Sequence, residues 1–225
     1  MPDIARFTQL LFADQSLDQL LELCDIEARP KEGAWALLVG ALAKWREGKH
    51  NPAIELLLEI TARPNLETRV LLWSWSALRS LGVYPDAREA SEIKGVVVQV
   101  PVERAVDVLA GYADGTARYV NHMGKIIVWD LPDGVISSLI QRLLHCSSVL
   151  PLDTSVSACD LPNLVRVTVL TIGGNHVLAI PLPSLPSDSP LNRVLSVGAE
   201  LMANLIKRTG TMNQLMQQHH DASER

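Results

Sequence analysis

Cysteine is scarce in this chain, which has three in 225 residues. Cys24, Cys146 and Cys159 stand far apart, and no two of them have the close spacing of a zinc site or a redox motif. The sequence therefore predicts neither a disulfide framework nor a metal site. Cys24, which falls in a helical apolar pattern, is interpreted as a small core residue.

The chain also lacks an excess of positive charge and any long apolar run. Its 20 Lys and Arg against 25 Asp and Glu give a net charge of −5, which argues against wrapping a phosphate backbone. The most apolar stretches, 34–43 and 70–78, are roughly half of the ~20 residues that cross a bilayer. The first residues do not have the layout of a signal peptide. We therefore expect a soluble, cytoplasmic protein with no nucleic-acid partner and no membrane partner.

What the chain does have is an internal repeat in its first ninety or so residues. Ala28-Arg29-Pro30 recurs as Ala62-Arg63-Pro64, an offset of 34 because 62 minus 28 is 34. Within each unit apolar residues recur at helical spacing, and a glycine follows where a helix is expected to end. Residues 1–93 are therefore predicted to form a short stack of antiparallel helix pairs, about two and a half units long.

This pattern resembles the tetratricopeptide repeat family. The matching positions are a small residue in a first helix, a Gly-to-Ala spacing at the turn, an aromatic after the glycine and a closing proline: Ala41, Gly48, Ala53, Gly82, Tyr84, Ala87, Pro30 and Pro64. The sequence departs from the family pattern at Gln19, Trp75 and Ser91. The resemblance implies that the inner face of the first helices binds an extended peptide or a partner helix.

The inner face implied by the resemblance defines a candidate partner-binding set. Its members are Trp35, Leu38, Leu42, Trp45 and Arg46 in the middle unit, and Arg69, Leu72, Ser76 and Arg79 in the next. Indole rings supply apolar area and guanidinium groups pair with carboxylates, so such a groove would suit an acidic, partly apolar segment. The alternative is that the tryptophans are buried against a neighbouring domain, and that the repeats only support the rest of the chain.

After Ile93 the pattern changes to β-branched runs, which predict a second module over residues 94–209. Strands are predicted at 95–100, 106–110, 112–120 (a hairpin around Asp114-Gly115), 125–129, 165–172 and 176–180, and helices at 135–144 and 191–208. Residues 210–225 lose their apolar face and are predicted to be a flexible tail. The predicted fold class is α+β: N-terminal all-α helical-repeat hairpins, then an antiparallel β-sheet domain with two helices in the order ββββαββα.

No catalytic or metal-binding motif stands out among the six histidines. Asp107 is a strand carboxylate that no cap or turn explains. A catalytic site would require it to converge with His122 and His176. We therefore predict no catalytic residue, no metal and no cofactor.

The sequence favours a non-enzymatic adaptor or scaffold that binds a protein or peptide partner. One alternative is a small-molecule-binding or sensory module, in which the sheet holds the ligand and the loop from Ser147 to Pro162 serves as a lid. A less favoured alternative is a novel enzyme built on Asp107, His122 and His176. The edge of the meander and the last amphipathic helix are natural surfaces for a homodimer.

Overall fold

The N-terminal half is a series of helices. The computed structural model describes residues 4–23, 33–103, 105–150, 164–181 and 188–223. Its first elements are α1 (Ile4–Gln9), a 3₁₀ helix (Leu10–Phe12), α2 (Leu17–Leu23), α3 (Gly33–Arg46), α4 (His50–Thr61), α5 (Thr68–Ser80) and α6 (Ala87–Ala90). Cys24 and the first copy of the repeated tripeptide, residues 28–30, lie outside the described residues.

Helices α3 and α5 end in the same way at positions 34 residues apart. Gly48 and Gly82 both have positive φ, 75° and 80°. The residue after each glycine donates its amide to the carbonyl five residues earlier: Lys49 N to Lys44 O and Val83 N to Leu78 O, both at 2.9 Å. This is the Schellman end of a helix, in which glycine supplies the left-handed residue. The two glycines therefore have the helix-ending role that the sequence predicts.

Helix α6 is a single turn. The Asp86 carboxylate caps α6 by accepting from two backbone amides, and the chain enters the first strand three residues after Ala90. Gly173 donates its amide to the Ala90 carbonyl at 2.9 Å, and a side chain at Gly173 would come within 2.7 Å of that oxygen. The end of a neighbouring strand thus occupies the space into which a longer helix would extend.

The C-terminal half is a six-stranded antiparallel sheet with two helices. Its elements are β1 (Ile93–Val102), β2 (Ala105–Tyr112), β3 (Ala117–Val120), β4 (Ile126–Trp129), α7 (Gly134–Ser147), β5 (Leu164–Thr171), β6 (Gly174–Pro181) and α8 (Pro190–Ser223). The strand order is β4-β3-β2-β1-β5-β6, so the chain crosses the sheet through α7 before β5 pairs with β1. The predicted α+β class and the predicted order of elements are confirmed.

Helices cover both faces of the sheet. On one face, residues of the N-terminal helices such as Leu38 share a hydrophobic cluster with Val97 and Tyr112. On the other face, α7 and the Leu201 region of α8 pack on Val96 and its neighbours. Successive residues of a strand point to opposite faces, so β1 contributes to both clusters. The segments 1–93 and 94–209 are therefore joined by a common core in a three-layer arrangement.

The last helix is longer than the apolar pattern predicts. The sequence predicts an end near Arg208, whereas the backbone of α8 is helical to Ser223. After Gly210 this stretch contains neither glycine nor proline and is rich in Gln and Met, which have good helix propensity. The helix can therefore continue without an apolar face. Among the described residues, we find no helix with the length and hydropathy to span a membrane.

Candidate functional site

The inner face of α3 and α5 is filled by the chain itself. Leu38 and Leu42 are fully buried, and Ser76 is nearly so. The segment between α1 and α2 packs against this face: the Gln15 side-chain oxygen accepts from Trp73 Nε1 at 2.6 Å, and the Gln15 carbonyl accepts from the Ser76 hydroxyl at 3.4 Å. Ser76 of the predicted set thus contacts the N-terminal segment, and Leu38, Leu42 and Leu72 are buried in the same hydrophobic cluster as Leu11 and Leu17.

Trp35 and Arg69 belong to an aromatic cluster on the same face. Trp35 Nε1 donates to Glu67 at 2.9 Å, and the Trp35 and Trp73 ring centroids lie 5.2 Å apart in an edge-on arrangement. Arg69 forms an ion pair with Glu67, and its guanidinium lies 5.8 Å from the Trp73 ring and 6.0 Å from the Tyr112 ring. Both side chains are therefore engaged in internal contacts, including attraction of a cation to aromatic faces.

The remaining members of the set are divided between two environments. Trp45 is half-buried and packs edge-on against His50, with the ring centroids 4.3 Å apart, while Arg46 is exposed. Arg79 instead donates to the carbonyl of Ile172 at the end of the sheet. The structure thus does not unite the predicted residues in one open groove, and the part that faces solvent is the Trp45–Arg46 end of α3.

A mostly apolar cleft lies on the opposite face of the sheet, beside α8. It has a volume of about 370 Å³ and is lined by Val98, Val100, Val102, Asp107, Leu109, Tyr119, Leu195, Gly198, Ala199 and Met202. Alternate residues of β1 supply one wall because they point to the same face. The small residues at 198 and 199 leave room on the helix side. The volume is near the lower end of the roughly 300–1,000 Å³ typical of small-molecule sites.

Asp107 is the charged residue of the cleft, and its carboxylate is held by three hydrogen bonds. Its Oδ2 accepts from the Tyr119 hydroxyl at 2.8 Å. Its Oδ1 accepts from the His122 backbone amide at 2.6 Å and lies 2.8 Å from His122 Nδ1. An ionised carboxylate can accept about four hydrogen bonds, so one acceptor position remains for another donor.

His122 reaches Asp107 because the turn between β3 and β4 is tightly specified. Asn121 Oδ1 accepts from the Met123 amide at 3.1 Å and from the Lys125 amide at 2.7 Å. Gly124 completes the turn with a φ of 81°, a value that few other residues adopt readily. This turn holds the His122 ring beside the Asp107 carboxylate. The His122 side chain is 37% exposed to solvent.

The surroundings keep the carboxylate ionised and the phenol neutral. Burial by itself would raise the pKa of Asp107, but the hydrogen bonds from Tyr119 and His122 outweigh it and lower the pKa below its usual value. Burial, together with the hydrogen bond to Asp107 and its negative charge, raises the pKa of the Tyr119 hydroxyl. At neutral pH the cleft therefore presents one oriented anion in an apolar wall.

His176 does not join this group. It lies on β6, three strand spacings of about 4.8 Å from β2, and its Nε2 is 3.5 Å from Thr171 Oγ1. The structure thus brings Asp107 and His122 together but leaves out the third residue of the catalytic alternative. No group of three metal-ligating side chains is present within the part of the chain that the structure describes.

Two wider depressions elsewhere have polar and charged linings. The first, of about 550 Å³, lies between the α4–α5 turn and the sheet; in it Arg63 pairs with Glu59, and Lys94 with Glu92. The second, of about 820 Å³, lies beside α1 and α2 and is lined mainly by polar residues. The cleft beside α8 is the more apolar site and is the candidate functional site.

Sequence reasoning missed the cleft, although one signal pointed to it. An aspartate within the apolar strand 105–112 requires partners, and the register pairs Leu109 with Tyr119. That register makes Tyr119 a same-face diagonal neighbour of Asp107. The pairing of strands cannot be read from the chain alone, so the sequence names His122 as a possible neighbour of Asp107 but does not identify Tyr119.

The fold defines the class of protein. It is an α+β protein in which helices cover both faces of one antiparallel sheet. Comparison of the chain with protein-family models, with curated proteins and with solved structures finds no match.

Proposed function

We propose that this is a non-enzymatic binding protein whose ligand is a small, mainly apolar molecule held in the cleft beside α8. The observation that carries the proposal is the single oriented carboxylate of Asp107 in an otherwise apolar wall. Apolar pockets with a few placed polar groups are typical of small-molecule sites. The free acceptor position of Asp107 suits a ligand with one donor group, and its charge favours a protonated amine.

The proposal is tested with straight-chain alkylamines of increasing length, compared with the alcohols and carboxylates of the same length. Binding is measured by calorimetry and by the shift in melting temperature of the protein. Amines should bind most tightly and carboxylates least. Each added methylene should contribute about 0.8 kcal/mol, or roughly fourfold in affinity, until the cleft is full.

Two variants locate the site on α8. Ala199→Leu places a larger side chain at the wall of the cleft and should abolish binding, whereas Ala203→Leu, an exposed position on the same helix outside the lining, should leave it unchanged. Asp107→Asn should remove the preference for amines over alcohols. Failure of every amine to bind, or equal binding by the Ala199→Leu variant, would contradict the proposal.

Protein binding by the helical half is a second proposal, supported by the exposed end of α3. There Trp45 offers a half-buried indole and Arg46 an exposed cation, which suit an acidic, partly apolar segment. The Trp45→Ala, Arg46→Ala double variant should lose a partner captured by cross-linking in the native cell. Arg88→Ala, which removes an exposed arginine from α6, serves as the control. A partner retained equally by both variants would argue against this surface.

A further inference from the structure

Strand β4 forms an edge of the sheet and has no charge, proline or bulge within its four residues. It stands last in the strand order, and no strand within the described residues pairs with its outer side. Edge strands are commonly protected by charges, prolines, bulges or a short length, and of these β4 has its short length. The four residues of β4 are Ile126, Ile127, Val128 and Trp129, and Val128 is 52% exposed. At the opposite edge β6 is half-buried along nearly its whole length.

The backbone groups that β4 directs outward follow from the hairpin register. The Asn121 amide donates to the Lys125 carbonyl at 2.9 Å, which makes these two residues a hydrogen-bonded pair. Such pairs alternate along an antiparallel ladder, and the register continues Tyr119 with Ile127. The amides and carbonyls of Ile126 and Val128 therefore point away from β3, towards the open edge.

We propose that a second copy of this chain pairs with β4 across a two-fold axis at Ile127. Antiparallel pairing about that axis places Ile126 of one copy opposite Val128 of the other. The outward amides and carbonyls of both residues are then satisfied in two reciprocal pairs. The twelve strands form one continuous sheet, and the contact has the self-complementary form of a two-fold dimer.

The exposed apolar side chains around β4 are placed so that the two-fold axis at Ile127 would bring them together. Four of the large apolar side chains exposed in the described residues fall within 123–135: Met123, Val128, Leu131 and Val135. The axis at Ile127 brings Met123 of one copy to the same end as Leu131 of the other, since both are four residues from it. Lys125 precedes the strand and Asp130 follows it, but Asp130 already pairs with the buried Arg118 of its own chain at 2.7 Å, so the match between copies depends on the apolar side chains.

The contact has to extend beyond the strand. A stable interface buries about 1,200–2,000 Å² in total, more than four residues of edge pairing supply. Leu131, between β4 and α7, and Val135, in the first turn of α7, are each about half exposed and continue the apolar surface from the end of β4. Burial of these side chains supplies the stability, and the strand pairing determines the register.

The first test is the mass of the full-length chain in solution, measured by light scattering after size exclusion over a range of concentrations. Wild type should have twice the mass of one chain. Val128→Lys places a charge at the centre of the contact and should give a monomer with an unchanged circular dichroism spectrum. Val106→Lys, at an exposed valine of the interior strand β2, should remain a dimer.

The second test addresses the register. A Met123→Cys, Leu131→Cys double variant should form a covalent dimer on mild oxidation. The two positions of one chain are too far apart to join each other, since the four extended residues of β4 between them span about 13 Å, and a disulfide requires Cα atoms within roughly 7 Å. Each single variant should cross-link far less. A monomeric wild type, a Val128→Lys variant that stays dimeric, or equal cross-linking by the single and double variants would each overturn the proposal.

Discussion

At the scale of single residues, Tyr112 connects the two halves of the molecule. It is fully buried at the end of β2, below the helical layer. Its hydroxyl donates to the Leu11 carbonyl at 2.8 Å, a contact between residues 101 positions apart in the chain. Burial raises the pKa of this hydroxyl, so it is a neutral donor at any physiological pH.

Removing this hydroxyl should destabilise the whole protein. Tyr112→Phe leaves the buried Leu11 carbonyl without its donor, and the expected loss is about 1–3 kcal/mol in the free energy of unfolding. Chemical denaturation measures it. Tyr84→Phe is the matched control because Tyr84 is 71% exposed, and it should change stability by less than about 0.5 kcal/mol. Equal effects of the two variants would mean that the buried hydrogen bond contributes little.

Asp107 should contribute a pH-dependent part of the stability. Its folded pKa lies below the unfolded value of about 3.9, so the ionised form stabilises the fold at pH above that value. This contribution is lost as the pH falls from about 4 through the folded pKa. The difference in unfolding free energy between wild type and Asp107→Asn should therefore be constant from pH 7 to about 5 and shrink below pH 4. A difference independent of pH would contradict the hydrogen-bonded carboxylate.

At the scale of elements, two glycines of the α3 region should respond in opposite ways to the same change. Gly48 has a left-handed conformation at the helix end, so Gly48→Ala should cost about 1 kcal/mol. Gly40 lies inside the helix, and an added Cβ would meet only Leu56 at an ordinary 3.7 Å. Gly40→Ala should therefore stabilise by up to about 1 kcal/mol. Melting temperatures of the two variants distinguish these signs.

At the scale of the whole molecule, the helical half and the sheet should unfold together because they share a core. Leu42 is buried in the cluster that also contains Val97 and Tyr112, and Leu42→Ala should cost about 2–5 kcal/mol. Hydrogen exchange should then accelerate in β1 and β2 as well as in α3. Leu58→Ala, at a 41% exposed position of α4, is the control and should have little effect. Acceleration confined to the helices would show two independent domains.

Much of the fold follows from local patterns in the chain. Strands β5 and β6 are predicted from β-branched runs around Gly173-Gly174, and α7 is predicted from its apolar spacing. The structure shows that Asp133 caps α7, since its carboxylate accepts from two helix amides. The end of α8 is not predicted because a helix can continue on propensity alone, without an apolar face. The candidate cleft is not predicted because it requires β1, β2, β3 and α8 to be placed together.

The order of residues specifies the glycine ends of α3 and α5 and the change from helical to strand periodicity near Ile93. These features depend on residues close together in the chain, through φ preferences, capping and apolar spacing. Which surfaces are open to solvent depends instead on the tertiary structure. Gln15 packs against α5, and Tyr119 and His122 meet Asp107. Both outcomes depend on contacts between distant residues, which the order of residues along the chain does not specify.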